Sequence, residues 1–265
     1  MDSRAWSIGL ALAVTLSAST GCEGAAASTA QGAPAGRRAE RGAALAPDAA
    51  PREKGAPAQI EAVAVPGDQP AYQVRPREGG APSIVFLPGV CSNAAAYLHT
   101  FPEAAATYGG VVAIDGDEPC PGVPGFHTFS WDTQKQHRRL QAALAAAGAP
   151  LAPAGGLTLV GYSQGATIGE KLVYAYPELY TRVVLIAAPV DPSVIALRSA
   201  RAAVTCACSL DVTVRMRTAA HRLTASGVPS TYVEMPGCTH GNVANGEETF
   251  GEAFAWLDDH SRAAP

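Results

Sequence analysis

Short apolar runs alternate with longer stretches of mixed polarity from residue 59 to the end of the chain. Three runs, at residues 83–87, 111–114 and 157–160, are apolar or small at nearly every position and stop at proline, aspartate or glycine. Continuous runs of this length are typical of parallel strands that are covered on both faces of a sheet. Five further runs complete the predicted strands, at residues 60–65, 71–74, 182–187, 203–208 and 231–235.

The intervening stretches have the spacing and the boundary residues of helices. In the last of them, Phe250, Phe254 and Leu257 fall on one face. The predicted helices run from a cap at Ser130 to Gly148 and over residues 164–176, 215–226 and 247–259. Because strands and helices alternate, we predict an α/β fold with one mostly parallel sheet of about eight strands and helices on both faces. The first two strands are expected to form an antiparallel hairpin.

Residues 1–22 have the pattern of an export signal. Arg4 supplies a positive charge, and the apolar stretch over residues 5–18 is too short to span a bilayer but has the size of a signal-peptide core. The segment ends at Gly21-Cys22, which resembles a bacterial lipoprotein signal. A lipid on Cys22 would then be the protein's only link to a membrane. Cleavage near residues 25–27 without a lipid is the alternative, and both lead to an exported protein, periplasmic, membrane-anchored or secreted.

Residues 23–58 are rich in Ala, Gly and Pro and show neither helical nor alternating apolar spacing. Such a segment buries too little apolar surface to offset the entropy of ordering it, so we predict a disordered tether. Its length would hold the folded domain, residues 59–265, about 30–36 Å from an anchor.

The charge and the cysteines narrow the classes of protein that remain. A formal net charge of −4 gives no basic face, which argues against nucleic acid as a partner. Export favours disulfides, and five cysteines remain if Cys22 carries a lipid, so one thiol is expected to be left over. The closest pair, Cys206 and Cys208, is too tightly spaced for a zinc site, and the sequence indicates neither a metal nor an organic cofactor.

Residues 161–165, Gly-Tyr-Ser-Gln-Gly, fit the pattern G-x-S-x-G between a predicted strand and a predicted helix. A serine on such a sharp turn is strained and exposed, and glycines on either side leave room for the turn. The helix that begins there favours negative charge at the reacting centre. Ser163 is therefore the candidate nucleophile, and an ordinary turn serine is the alternative.

A serine hydroxyl needs a base, and His240 is the best candidate. It lies in a loop after the last predicted strand, at the carboxyl edge of the sheet where catalytic groups gather. The only other histidine in a comparable loop, His127, precedes the serine. Asp211, which follows the strand before, could orient the imidazole, although it could also cap the next helix. Asp191, after the preceding strand, is the alternative acid.

The oxyanion of a tetrahedral intermediate needs backbone N–H donors. Gln164, directly after the serine, supplies one. The second is expected from the turn after residues 83–87, with Val90 as the first choice and Cys91 as the second. A glycine turn followed by a helix cap at Ser92 or Asn93 is compatible with this assignment.

The order Ser163, Asp211, His240 on a parallel sheet resembles the α/β-hydrolase superfamily, most closely its small carboxylesterase, phospholipase and dienelactone-hydrolase-like members. The resemblance covers residues 59–265 and rests on residues 86–90, 161–165, 210–211 and 236–241. Two positions depart from the pattern. Pro88-Gly89 stands where many members have His-Gly, and a serine replaces the cysteine nucleophile of dienelactone hydrolases.

The resemblance implies a serine hydrolase with little or no lid that cleaves small-molecule carboxylic esters through an acyl-enzyme. It also implies disulfides between Cys91 and Cys120 and between Cys238 and either Cys208 or Cys206. A peptidase or amidase with the same triad is one alternative, and a surface binding protein with a hydrolase fold is another. Residues 121–131, which include three aromatic side chains and His127, either line the substrate pocket or pack a long loop.

Overall fold

A computed structural model describes residues 55–151 and 153–263. The predicted export signal, the lipid site at Cys22 and the predicted tether up to residue 54 lie outside these residues. Within the described ranges, no helix is both long enough and apolar enough to cross a bilayer. The first described residues contact the domain, since the Ala58 N–H donates a hydrogen bond to the Glu103 carboxylate at 2.7 Å.

The main sheet has eight strands, which confirms the predicted number. Their order across the sheet is β1-β2-β4-β3-β7-β8-β9-β10, and all pairs from β4 to β10 are parallel. The strands β1 and β2 form the predicted antiparallel hairpin, and β2 also pairs antiparallel with β4. A separate two-stranded ribbon, β5 with β6, was not predicted. The strands are β1 Ile60–Val63, β2 Ala71–Val74, β3 Ile84–Leu87, β4 Val111–Ala113, β5 Glu118–Pro119, β6 His127–Thr128, β7 Leu157–Tyr162, β8 Tyr180–Ile186, β9 Ala202–Cys208 and β10 Ser230–Met235.

Helices cover both faces of the sheet. Every residue of β3, β7 and β9 is buried, because apolar side chains of the helices pack against them from two sides. Leu140, Ile168 and Leu223 belong to the core on one face, and Leu98 and Phe250 to the core on the other. The helices are α1 Ala94–Leu98, α2 Pro102–Thr107, α3 Thr133–Ala146, α4 Gln164–Ala175, α5 Val194–Leu197, α6 Thr213–Ala225 and α7 Gly246–His260.

The predicted cap of α3 at Ser130 is wrong, because the helix is capped by Asp132. The Asp132 carboxylate accepts a hydrogen bond from the Lys135 N–H at 2.9 Å. Ser130 instead donates its hydroxyl to the carboxylate of Asp117 at 2.6 Å. Its side chain is therefore engaged by the preceding loop and is not free to cap the helix.

Two disulfides tie loops at the carboxyl edge of the sheet. Cys91 is bonded to Cys120, as the family resemblance implied, and Cys208 to Cys238, which decides between the two partners considered for Cys238. Cys206 is the thiol left over among the described cysteines. It is fully buried, and burial raises its pKa to about 12.

Candidate active site

Ser163 lies on the bend between β7 and α4, with φ of 52° and ψ of −112°. A residue with a side chain rarely adopts this left-handed conformation, so the bend stores strain. The neighbouring glycines are required sterically. A Cβ at Gly161 would collide with the backbone of Gly165, and a Cβ at Gly165 would collide with the carbonyl of Leu87. The motif therefore forms the predicted bend, with the serine at the carboxyl edge of the sheet. The expectation of an exposed serine is wrong, because Ser163 is only 7% exposed, with His240 and the turn at Gly89 against it.

His240 and Asp211 join Ser163 in one chain of hydrogen bonds. The Nε2 atom of His240 lies 3.0 Å from Ser163 Oγ, and its Nδ1 atom lies 2.7 Å from Asp211 Oδ2. The His240 side chain is about half exposed, whereas that of Asp211 is only 15% exposed. The serine is thus within reach of a base that is itself held by a carboxylate, the geometry needed to activate a hydroxyl.

The alternative acid, Asp191, lies in a different set of contacts. Its carboxylate pairs with Arg215 Nε at 3.2 Å and with Arg222 Nη1 at 3.8 Å. Asp211 also does not act as the helix cap considered for it, because α6 begins after Val212 without a side-chain cap. The Asp211 carboxylate accepts one local hydrogen bond, from the Val212 N–H at 2.7 Å, and otherwise faces His240.

Two tyrosines that sequence analysis did not single out hold the histidine loop. The Tyr162 hydroxyl accepts a hydrogen bond from the Gly241 N–H at 2.8 Å and donates one to the Asn242 carbonyl at 3.2 Å. The Tyr97 hydroxyl donates to the Gly241 carbonyl at 3.1 Å. Burial, partly opposed by the Gly241 N–H, raises the pKa of Tyr162, so this hydroxyl keeps the proton that it donates. The only sequence feature that could have indicated this role is the position of Tyr162 directly before Ser163.

The acid loop and the histidine loop are also tied to each other. The Cys208–Cys238 disulfide joins the end of β9 to the loop after β10. Backbone hydrogen bonds from Ser209 to Met235 and from Leu210 to Cys238 run alongside it, at 2.8 and 3.1 Å. The separation between Asp211 and His240 is therefore fixed by covalent and hydrogen-bonded links close to both residues.

The expected oxyanion donors lie on two segments that meet at Ser163. Gly89 passes so close that a Cβ there would lie 3.4 Å from Ser163 Cβ, so the turn that carries Val90 adjoins the serine. In the described part of the chain, neither the Gln164 nor the Val90 N–H donates a hydrogen bond to another protein group. Asn93 caps α1 through the Ala96 N–H at 3.0 Å, so the turn also serves as a helix start.

Both segments are fastened to residues 127–129. The Gln164 side chain accepts from the Phe129 N–H at 3.0 Å and donates to the Phe129 carbonyl at 2.9 Å. Ser92 and His127 exchange two backbone hydrogen bonds, and the Cys91–Cys120 disulfide adds a covalent link. The role of the Gln164 side chain was missed, because its partner lies 35 residues away in sequence.

In the aromatic segment at residues 121–131, one side chain packs in the core, and a role in lining the substrate pocket stays a prediction. Phe129 is buried in the core, whereas Phe126 and Trp131 are exposed. The Nζ atom of Lys171 lies 4.9 Å above the Trp131 ring. No group of three metal-ligating side chains (His, Cys, Asp or Glu) comes together in the described ranges.

Known structures share this architecture, whereas sequence comparison finds no relative. No protein-family model matches the chain, and no curated protein sequence matches it. A predicted CIB-like hydrolase from Thermoplasma acidophilum is 17% identical, with a TM-score of 0.55, 76% of this chain covered and 98% of that one. A hyperthermophilic esterase from Pyrobaculum calidifontis is 17% identical, with a TM-score of 0.52 and coverage of 76% and 85%. A serine hydrolase involved in carbazole degradation is 13% identical, with a TM-score of 0.53 and coverage of 76% and 99%. The chain has the α/β-hydrolase fold.

Proposed function

We propose that this protein is a serine hydrolase that cleaves carboxylic esters through Ser163, His240 and Asp211. The observation that carries the proposal is the unbroken chain of hydrogen bonds from Asp211 through the imidazole to the Ser163 hydroxyl. A protein that only binds a ligand on this fold has no need of a strained serine, a base and an oriented carboxylate in one line. That argument favours catalysis over a binding role.

In the proposed reaction, Ser163 Oγ attacks the ester carbonyl while His240 Nε2 takes the hydroxyl proton. Asp211 accepts the Nδ1–H of the ring, which fixes the tautomer with a free Nε2 and stabilises the imidazolium that forms. The carbonyl oxygen becomes an oxyanion, and the N–H groups of Gln164 and Val90 are proposed to donate to it. Because these donors have no other acceptor in the described chain, no existing hydrogen bond has to break.

The tetrahedral intermediate then collapses in the usual direction for a serine hydrolase. The imidazolium returns its proton to the departing alcohol, which leaves Ser163 acylated. Water repeats the sequence, with His240 as the base, and releases the acid. The names of the structural neighbours, which include esterases and a serine hydrolase, support an ester as the substrate.

The test uses a fluorophosphonate probe and p-nitrophenyl acetate on the purified protein. Wild type should be labelled and should turn over the ester, and Ser163→Ala should lose labelling and at least about 10³-fold of kcat. A wild type that is neither labelled nor active would contradict the proposal and favour the binding protein. The corresponding p-nitroanilide measures amide cleavage, and a higher kcat/KM on it would favour an amidase.

Two acids give a matched comparison for the third residue. Asp211→Ala should lower kcat by about 10³–10⁴-fold, because the imidazole loses its orienting carboxylate. Asp191→Ala should change kcat less than about twofold, since its partners are Arg215 and Arg222 at the surface. The reverse ranking would move the role of the acid to Asp191.

The proposed enzyme is exported, and the two disulfides support this location because such bonds persist in oxidising compartments. Attachment to a membrane through Cys22 stays a prediction. Incorporation of radiolabelled palmitate in the expressing cell, compared with Cys22→Ser, tests it.

A further inference from the structure

Exposed apolar side chains are concentrated at the edge of the sheet that carries Ser163. Among the described residues, eleven large apolar side chains are exposed, and nine of them lie in segments that leave the carboxyl ends of β3, β4, β8 and β9. Single exposed apolar residues scattered over a surface need no explanation, but a concentration at one place marks a binding surface. The distribution therefore points to an apolar ligand at this edge.

Five of these side chains form what we call the aliphatic patch: Val190, Ile195, Leu210, Val212 and Val214. Each is between 52% and 68% exposed. The patch is built on neighbouring strands, because the first two residues follow β8 and the other three follow β9.

The two halves of the aliphatic patch are joined by Arg215 of α6. Its Nη1 atom donates to the carbonyl of Ala188 at 3.2 Å, and its Nε atom pairs with Asp191. Asp211, which bonds to His240, stands in the chain between Leu210 and Val212. The patch therefore adjoins Asp211, the residue that bonds to His240.

The charges at this edge disfavour anionic substrates. Neither lysine nor arginine occurs in residues 88–93, 114–132, 187–197, 209–214 or 236–245, which follow the carboxyl ends of β3, β4, β8, β9 and β10. Arg215 and Arg222 are paired with Asp191, whereas Lys171 lies over the Trp131 ring and Arg198 follows α5 at the border of the patch. A carboxylate or phosphate on the substrate would find few unpaired cations to replace its hydration, so an anionic ester is disfavoured there.

We propose that the substrate is an uncharged ester whose apolar chain lies along the aliphatic patch, and that the protein discriminates against esters carrying an anionic group. This inference rests on the proposed function. A second protein is a poorer occupant, because the patch has no aromatic side chain and the arginines beside it, Arg215 and Arg222, are already paired with Asp191. Each methylene covered by apolar surface can add up to about fourfold to kcat/KM.

The test compares p-nitrophenyl acetate, p-nitrophenyl octanoate and p-nitrophenyl hemisuberate, all below their aggregation concentrations. The last two have acyl chains of equal length and differ by a terminal carboxylate. The kcat/KM for octanoate should be at least about tenfold higher than that for acetate. It should also be at least about tenfold higher than that for hemisuberate. In Ile195→Ser/Val214→Ser, the ratio of octanoate to acetate should fall about tenfold. Val214→Lys should raise the ratio of hemisuberate to octanoate about fivefold.

The matched control is Leu151→Ser/Tyr174→Ser, which removes the two exposed apolar side chains that lie away from this edge. Its substrate ratios should equal those of wild type. Equal kcat/KM for octanoate and acetate, or unchanged ratios in the patch variants, would overturn the inference while leaving ester hydrolysis intact. If the wild-type protein does not hydrolyse p-nitrophenyl acetate, the proposed function itself is refuted.

A binding measurement tests the aliphatic patch without catalysis. Nile red, an uncharged apolar dye, should bind Ser163→Ala, and adding Ile195→Ser/Val214→Ser should weaken that binding at least about threefold. Undiminished dye binding would also overturn the inference. So would a change from dimer to monomer in the patch variants with unchanged substrate ratios, because the patch would then be an interface between two copies.

Discussion

The hydroxyl oxygen of Tyr162 lies 2.8 Å from the backbone nitrogen of Gly241. The residue before the candidate nucleophile therefore holds the residue after the candidate base. Strand β7, which is buried along its whole length, therefore positions both Ser163 and His240, whose side chains lie 3.0 Å apart. Preorganisation of this kind is what a proton transfer between two side chains requires.

Replacing Tyr162 by Phe should lower kcat about 5- to 20-fold with little change in KM, because His240 loses its fixed position but substrate binding does not. Steady-state kinetics on p-nitrophenyl acetate measure this split. Tyr180→Phe is the matched control, since that buried hydroxyl contacts His137, in α3. A loss of kcat of equal size in both variants would mean that the effect is only structural.

Replacing Gln164 by Leu should lower kcat about 10- to 100-fold, because the side chain no longer ties the oxyanion segment to Phe129. Gln136→Leu is the control, as Gln136 is equally buried and holds the same loop through Asp117 and Ser130. Both variants should unfold at lower temperature, but only the first should lose affinity for a trifluoromethyl ketone that forms the oxyanion. If the two variants bind the ketone with equal affinity, Gln164 does not position the oxyanion segment.

The two disulfides close loops of nearly equal length, with sequence separations of 29 and 30. Removing either pair by alanine substitution should therefore lower the free energy of unfolding by about 3–4 kcal/mol. Denaturant titration measures this difference. Alkylation of the denatured, unreduced protein should modify Cys206 alone among residues 91–238, and the native protein should resist because the thiol is buried with a raised pKa. Alkylation of Cys208 or Cys238 without reduction would contradict this pairing.

Asp117 makes stability depend on pH. Its side chain is 4% exposed, and burial alone would raise its pKa. Hydrogen bonds from Lys135, Ser130 and Gln136 outweigh burial and hold the pKa below its usual value. A group with a lowered folded-state pKa stabilises the protein above its unfolded pKa, about 3.9, and this contribution is lost as the pH falls towards the folded value.

Asp117→Asn should therefore lower the free energy of unfolding by about 3 kcal/mol at pH 7. The difference in free energy of unfolding between variant and wild type should become smaller below about pH 4. Thermal unfolding between pH 7 and 3 measures it. Asp258→Asn, at an exposed pair with Arg182, should cost less than about 1 kcal/mol. A gap that stays constant over this pH range would exclude ionisation of Asp117 as its cause.

Local pattern was sufficient for the strands of the main sheet and for the long helices. The strand that leads to Ser163, the turn and the following helix are contiguous, so their apolar run, glycines and helix formers could be read together. The short helices α2 and α5 were not predicted, and only the cap of α1 was considered, because four to six residues give too few repeats to show a helical period. The ribbon of β5 and β6 has two residues per strand, which leaves no alternation to detect.

The sequence by itself determined the fold class, the bend at Ser163 and the two candidate loops for a base and an acid, since each depends on neighbouring residues. Only the tertiary structure decided which carboxylate faces His240 and which cysteine bonds to Cys238. Cys206 and Cys208 lie on one face of one strand, and the register of β9 with β10 sets Cys208 beside Met235, near Cys238. Asp191 pairs instead with Arg215, a residue of another element. Such choices depend on distances between segments that are far apart in the chain, and a pattern of neighbours does not contain those distances.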